Sequence, residues 1–252
     1  MWVLNVLVFG VLGLIIGSFL NVVIHRLPLG QSVSTPRSHC PQCEHVLRPW
    51  ELIPVVSYLL LKGKCSQCKI NISWRYPGVE IITGVLFILT VLLQPNQTTT
   101  GIVFDLLFVS LLVALTMIDI DTFRLPDVLV GYVAAIGLLK IIVLAEPNFW
   151  SGIIGALGAG GVFFLIAYFY PDGMGLGDVK LVAALGIYLG YPGVFYAIFI
   201  ASLLGVFLGG INFLRGKKSL KDPIPFGPFL AGGSLVVLLG KEYFSALYTY
   251  LF

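Results

Sequence analysis

Leu181 to Leu214 reads LVAALGIYLGYPGVFYAIFIASLLGVFLGGINFL, thirty-four residues without one charged side chain. An α-helix rises about 1.5 Å per residue, so one helix of that length would reach roughly 50 Å, far beyond a bilayer core of about 30 Å. The run must be two helices. Gly190-Tyr191-Pro192-Gly193 is the natural break, since glycine and proline together punctuate helices. Outward from it, further apolar segments lie at 2–24, 76–93, 101–118, 128–145, 152–170 and 226–249. With 179–190 and 193–214 they make about eight transmembrane helices. The expected fold is therefore an all-α polytopic membrane protein. Composition agrees: 58% of the 252 residues are hydrophobic and 11% are charged, against roughly 25% charged in soluble domains. A water-soluble globular enzyme and a disordered chain are both excluded. The net charge of +3 is too small to argue for a nucleic-acid partner.

The segment Trp2 to Ile24 carries no charge but does not read as a signal peptide. No basic residue precedes it, and it runs into His25, Arg26, Leu27 and Pro28 without a small-residue cleavage site. Basic residues set the orientation. Thirteen of the fifteen Lys and Arg residues fall on one side of this parsing: seven in the 25–75 loop, then Arg124, Lys180, Arg215, Lys217, Lys218 and Lys221. That side is expected to be cytoplasmic, with both termini outside. Lys140 and Lys241 lie near the opposite face, where they could snorkel. The expected division is a first helix at 1–24, a cytoplasmic loop at 25–75 and a membrane domain at 76–252. No internal repeat stands out.

Within the loop, Cys40-Pro41-Gln42-Cys43 and Cys65-Ser66-Gln67-Cys68 form two CxxC pairs. Two such turns present four thiolates to one cation, the closed tetrahedral set that structural zinc favours. A loop of this size builds little core, and a metal would replace one. Paired disulfides or free thiols are the plain alternative, and a reducing cytoplasmic face disfavours the disulfides. An iron–sulfur cluster fits the same residues, although nothing else suggests redox work. His25, His39 and His45 lie nearby and are expected to be surface or interface residues, not ligands.

Charges at membrane depth are costly and often mark function. Asp119 sits at the last apolar turn of the third segment, with Asp121 and Asp127 further on, and Asp178 opens the sixth within Gly175-Leu176-Gly177-Asp178. By the parity of the spans, Asp119 and Asp178 share the cytoplasmic side. Two facing carboxylates can hold one proton, so that one activates water while the other protonates a carbonyl or leaving group. Gly175 and Gly177 remove side chains beside Asp178, which lets an extended peptide approach. From position alone, a helix-end role on dipole grounds is equally open. Asp105 and Glu146, on the other face, read as interfacial.

These residues resemble the type IV prepilin peptidase family of bacterial membrane aspartyl proteases. The likeness runs along almost the whole chain. It includes Gly17 to Ile24 leading to Arg26-Leu27-Pro28, the block Arg37 to Cys43, Ile53 to Leu59, and Ile72 to Glu80. It continues through Asp119 to Asp127 in the pattern D-x5-L-P-D, the GxGD at 175–178, and Ile224-Pro225-Phe226-Gly227-Pro228-Phe229. The resemblance implies cleavage of the short basic leader of type IV pilin-like precursors, after a glycine, at the cytoplasmic face of the bacterial inner membrane. The catalytic aspartates would be Asp119 and Asp178, and neither motif departs from the family pattern. Asp121, Asp127 and Asp172 would give that surface a negative field for the basic leader.

The cysteine loop is found in bifunctional members, which also N-methylate the new N-terminal residue with S-adenosylmethionine. No methyl-donor motif can be carried over residue by residue. The loop, with Arg75 and Glu80 at its junction with the second span, is the expected methylation region, although a structural Arg75–Glu80 ion pair fits equally. Membrane lipid and pilin-like precursors are the expected partners, with no nucleic acid. Two rival readings remain: a monofunctional peptidase whose zinc loop recognises substrate, and a non-enzymatic zinc-loop scaffold or transporter. A transporter would place its charges along a path through mid-bilayer, whereas these cluster at one interface.

Overall fold

The computed structural model describes residues 2–170, 173–214, 225–241 and 243–244. Asp172, the basic residues Arg215, Lys217, Lys218 and Lys221, and positions 242 and 245–249 of the last expected span lie outside them. The described chain is helical, with two isolated β-bridges in the cysteine loop. It divides into two compact units, Met1–Gln97 and Thr98–Phe252.

The first unit holds α1 (Trp2–Arg26), the short α2 (Val56–Leu60) and α3 (Arg75–Leu93), with the cysteine loop between α1 and α3. Lipid supplies no hydrophobic force between helices, so small residues that allow close backbone approach hold α1 on α3. A Cβ at Gly13 would lie 2.7 Å from the Gly84 Cα, and one at Gly17 would lie 2.7 Å from the Glu80 Cα. Near the loop the Asn21 side-chain amide donates to the Tyr76 carbonyl at 3.0 Å.

The second unit runs through α4 (Thr99–Thr122), α5 (Asp127–Leu144), α6 (Phe149–Phe169), α7 (Leu176–Leu189), α8 (Gly193–Leu214) and α9 (Gly227–Leu239). Among the described residues, six helices are long and apolar enough to cross a bilayer: α1, α3, α4, α5, α6 and α8. The other two expected spans are the shorter α7 and α9, of 14 and 13 residues. The break between α7 and α8 falls at Gly190, whose φ of +68° favours glycine. The third expected span ended at 118, but α4 continues to Thr122, so Asp119 and Asp121 are helical. α4 packs on α5 and α9, while α7 packs chiefly on α6 and α5. At Gly186 the α6 backbone comes so close that an added Cβ would lie 2.5 Å from it.

Lys140 does not snorkel, and Asp105 is not exposed. Both are buried, at 4% and 0% exposure. The Lys140 ammonium donates to Asp105 Oδ1 at 2.6 Å, and the Tyr188 hydroxyl donates to the same oxygen at 2.6 Å. The Tyr188 ring stacks on Phe108 with centroids 3.8 Å apart. Lipid explains this geometry, because an ion pair at membrane depth loses least when each charge faces the other. One cluster thus ties α4, α5 and α7 together about 20 Å along α4 from Asp119, at 1.5 Å per residue. Lys140→Met should strand a buried carboxylate and destabilise the protein by about 3–5 kcal/mol. Thermal unfolding in detergent checks this, and the double variant Asp105→Asn with Lys140→Met should recover much of the loss.

Candidate functional site

The cysteine loop is built from two equivalent turns, a structural repeat that residue identity does not display. In each, the first cysteine's backbone N–H donates to a carbonyl five residues on, Cys40 to His45 and Cys65 to Ile70, both at 2.9 Å. The residue after the second cysteine then adopts positive φ, +57° at Glu44 and +60° at Lys69. A β-bridge closes each turn, His39 with Val46 and Lys64 with Asn71. Only Cys, Gln and Cys coincide between the two, too short a signature to read without the backbone.

The two turns bring four sulfurs within 4.8 Å of one another. Cys40 and Cys68 Sγ lie 3.8 Å apart, and Cys43 and Cys65 Sγ lie 3.9 Å apart. Zinc–sulfur bonds of about 2.3 Å in a tetrahedron require sulfurs about 3.8 Å apart. The cysteines are unpaired as disulfides, and the cluster could hold a metal such as zinc. Backbone donors at Cys68 and Gln67 bring the Cys65 thiol down to about 6, towards the thiolate a metal needs. Cys68 goes up to about 11, because a backbone donor at Ile70 is outweighed by burial and the neighbouring sulfurs.

Glu51 braces the two turns. Its carboxylate accepts the Arg48 backbone N–H at 2.6 Å and meets His45 Nε2 at 3.1 Å. Burial pushes that carboxyl up, but Ser66, the Arg48 backbone and His45 outweigh it and hold it below the usual range. Of the other histidines, His39 is exposed and sits 3.0 Å from the Arg37 carbonyl, and His25 is exposed at the end of α1. Glu80 is buried in α3 and accepts the Val55 backbone N–H at 2.7 Å. Arg75 is half-buried at the start of that helix.

In the second unit, Asp119 and Asp178 come to the same end of the helix bundle. Asp119 lies in the last turn of α4 and is 5% exposed. Asp178 lies in the first turn of α7, is half-buried, and is close enough for the Asp119 charge to act on it. The Asp178 carboxylate takes a hydrogen bond from the Gly175 backbone. Leu125, from the Leu-Pro-Asp block, packs between the motifs: a Cβ at Gly177 would sit 3.3 Å from Leu125 Cβ. Gly173 and Gly175 are exposed, so bare backbone runs up to Asp178. Of the flanking acids, Asp121 is exposed, and Asp127 forms an exposed ion pair with Lys180 at 2.8 Å.

Residues 11–94 match the family described as the bacterial peptidase A24 N-terminal domain, and residues 106–210 match the type IV leader peptidase family. A prepilin leader peptidase/N-methyltransferase of Stutzerimonas stutzeri is 36% identical over 94% of this chain and 91% of its own. The chain belongs to the type IV leader peptidase family. Proteins of the same printed name from Pseudomonas aeruginosa, at 37% identity over 94% of this chain and 91% of theirs, and Bacillus subtilis, at 35% over 91% and 92%, are similarly close. No solved structure matches the chain at a significant level. The leader peptidase match holds both aspartates, and the A24 N-terminal match holds all four cysteines.

One contact at the aspartate pair lies beyond the leader peptidase match. The Gly227 backbone N–H, at the start of α9, donates to Asp119 Oδ2 at 3.0 Å. A Cβ there would lie 2.7 Å from that oxygen. The sequence signal was present in Pro225-Phe226-Gly227-Pro228, a glycine between prolines at a helix start, but nothing local tied it to Asp119. Gly227→Ala should push the Asp119 carboxylate aside. Misplacing a reacting group by about 1 Å can cost about 10²-fold in rate, so leader cleavage should fall by that order while the metal content is unchanged.

Proposed function

We propose that this membrane protein cleaves the basic leader of type IV pilin-like precursors by aspartyl chemistry at Asp119 and Asp178, and then methylates the new N-terminus. The observation that carries the peptidase half is the convergence of these two carboxylates, from residues 59 apart in sequence, at one end of the bundle beside exposed glycine backbone. With one proton between them, the ionised carboxylate takes a proton from water as it attacks the scissile carbonyl. The protonated partner hydrogen-bonds the carbonyl oxygen and later protonates the leaving amine. The Gly227 N–H holds Asp119 in place for both steps. Gly175 and Gly177 would line the extended substrate, and Asp121 and Asp127 would attract the basic leader.

The methyltransferase half rests on the printed names of the relatives and on the cysteine loop. A methyl group would pass from the sulfonium of S-adenosylmethionine to the free amine, which loses a proton. Arg75 and Glu80 are the proposed residues, Glu80 as proton acceptor. Zinc on Cys40, Cys43, Cys65 and Cys68 would be structural. The basic side of the chain would face the cytoplasm of the bacterial inner membrane, with both termini outside. Incubating purified protein with a pilin-like precursor, with and without S-adenosylmethionine, should give two products by mass spectrometry. One lacks only the leader, and the other carries one further methyl. An uncut precursor in both arms would overturn the peptidase reading.

A further inference from the structure

The stretch from Trp50 to Leu61 is built inside-out. Its polar residues Glu51 and Ser57 are buried, whereas Trp50, Leu52, Ile53, Val56, Leu59 and Leu60 are exposed, the last two at 68% and 71%. In water this pattern is unfavourable, because contiguous exposed apolar surface marks an interaction site. Glu51 turns inward, where its Oε2 meets His45 and the Arg48 backbone. The apolar side chains face outward on and beside the five-residue α2.

The depth of this stretch comes from a single hydrogen bond. The Val55 backbone N–H reaches Glu80 Oε2 at 2.7 Å. Glu80 is five residues into α3, about 7.5 Å below its first residue at 1.5 Å per residue. α3 has 19 residues and spans about 28 Å, so nearly all of it is needed to cross a core of about 30 Å. The chain at Val55 therefore runs beside the membrane-crossing part of α3, not above its end. Trp74 and Tyr76, exposed at the start of α3, mark the level where aromatic side chains favour the headgroups. Arg48, Lys62, Lys64 and Lys69 are exposed around the same stretch, and basic residues beside an apolar surface suit anionic lipid.

We propose that residues 50–61 form an interfacial element of the cysteine loop, with the apolar side of α2 sunk into the bilayer leaflet and the flanking lysines on anionic headgroups. The partner of this surface is lipid. The headgroup assignment rests on the cytoplasmic placement of the loop proposed above, whereas the apolar insertion does not.

The test uses the full chain with a single tryptophan reporter. Trp2, Trp50, Trp74 and Trp150 are replaced by Phe, and Leu60→Trp supplies the reporter. Retained metal content shows that the loop is intact. In vesicles of phosphatidylethanolamine and phosphatidylglycerol, lipids brominated along the acyl chain should quench the reporter at least twofold, with no substrate present. Equal emission with and without bromine would overturn the proposal. So would quenching lost at high protein-to-lipid ratio, which would mean that a second copy covers the face, or emission that shifts only on adding a pilin-like precursor. In an independent arm with unsubstituted protein, phosphatidylglycerol should slow tryptic cutting after Lys62 and Lys64 about tenfold relative to neutral vesicles. Equal cutting would overturn the headgroup contact. Neither arm reads catalysis, so its failure is separate from a failure of the peptidase assignment.

Discussion

Asp119→Asn and Asp178→Asn should each lower leader cleavage by about 10⁴-fold, the upper range for removing a positioned acid or base. Neither amide can take a proton from water, and neither can share a single proton with the remaining carboxylate. The variants should still insert and fold, because Asn is isosteric and its amide oxygen can still accept the Gly227 N–H at position 119 and the Gly175 N–H at position 178. Leader removal measured by intact mass, with circular dichroism as the folding control, checks this. Near-unsubstituted cleavage by either variant would remove that residue from the chemistry. Asp121→Asn and Asp127→Asn should cost far less, since both are exposed and Asp127 already pairs with Lys180. Their effect belongs on KM for a basic leader and should shrink as salt rises.

The second large effect is expected at the metal. Structural zinc in small domains contributes about 10–16 kcal/mol of binding free energy that is also folding free energy. Any one of Cys40→Ser, Cys43→Ser, Cys65→Ser or Cys68→Ser should therefore lower bound zinc from one per chain to near zero and open the loop to protease. Elemental analysis with limited proteolysis reads both. A stable, protease-resistant loop without metal would refute the zinc assignment. Because Asp119 and Asp178 lie in the other compact unit, Cys43→Ser should lose methylation of the mature pilin more than cleavage. A fully methylated product would remove the loop from methyl transfer. Equal loss of both activities would mean that it supports the fold as a whole.

Much of this was legible because bilayer and metal impose local rules. The uncharged run Leu181 to Leu214 had to break at Gly190 to Gly193, and it does. Two CxxC pairs announce four converging sulfurs, and these lie within 4.8 Å. The end of α4 differs from expectation, because the uninterrupted apolar run stops at Ile118 but the helical backbone continues to Thr122. The doubled turn escaped notice because its repeat lies in hydrogen bonds and φ angles, not in residue identity.

Local sequence is enough wherever a segment must satisfy its own solvent. Apolar runs must be helical in lipid because no water is there to satisfy the backbone, and closely spaced thiols can share a cation whatever surrounds them. Pairings across distance came from the packing of the helices. A lysine near a helix end snorkels unless a carboxylate stands within its reach. For Lys140, Asp105, 35 residues earlier, does, and Tyr188, 83 residues beyond Asp105, completes the cluster. The Gly227 N–H finds Asp119 across 108 residues. The reason is physical: a buried charge or donor takes the partner that packing brings to it, and packing depends on all the helices at once.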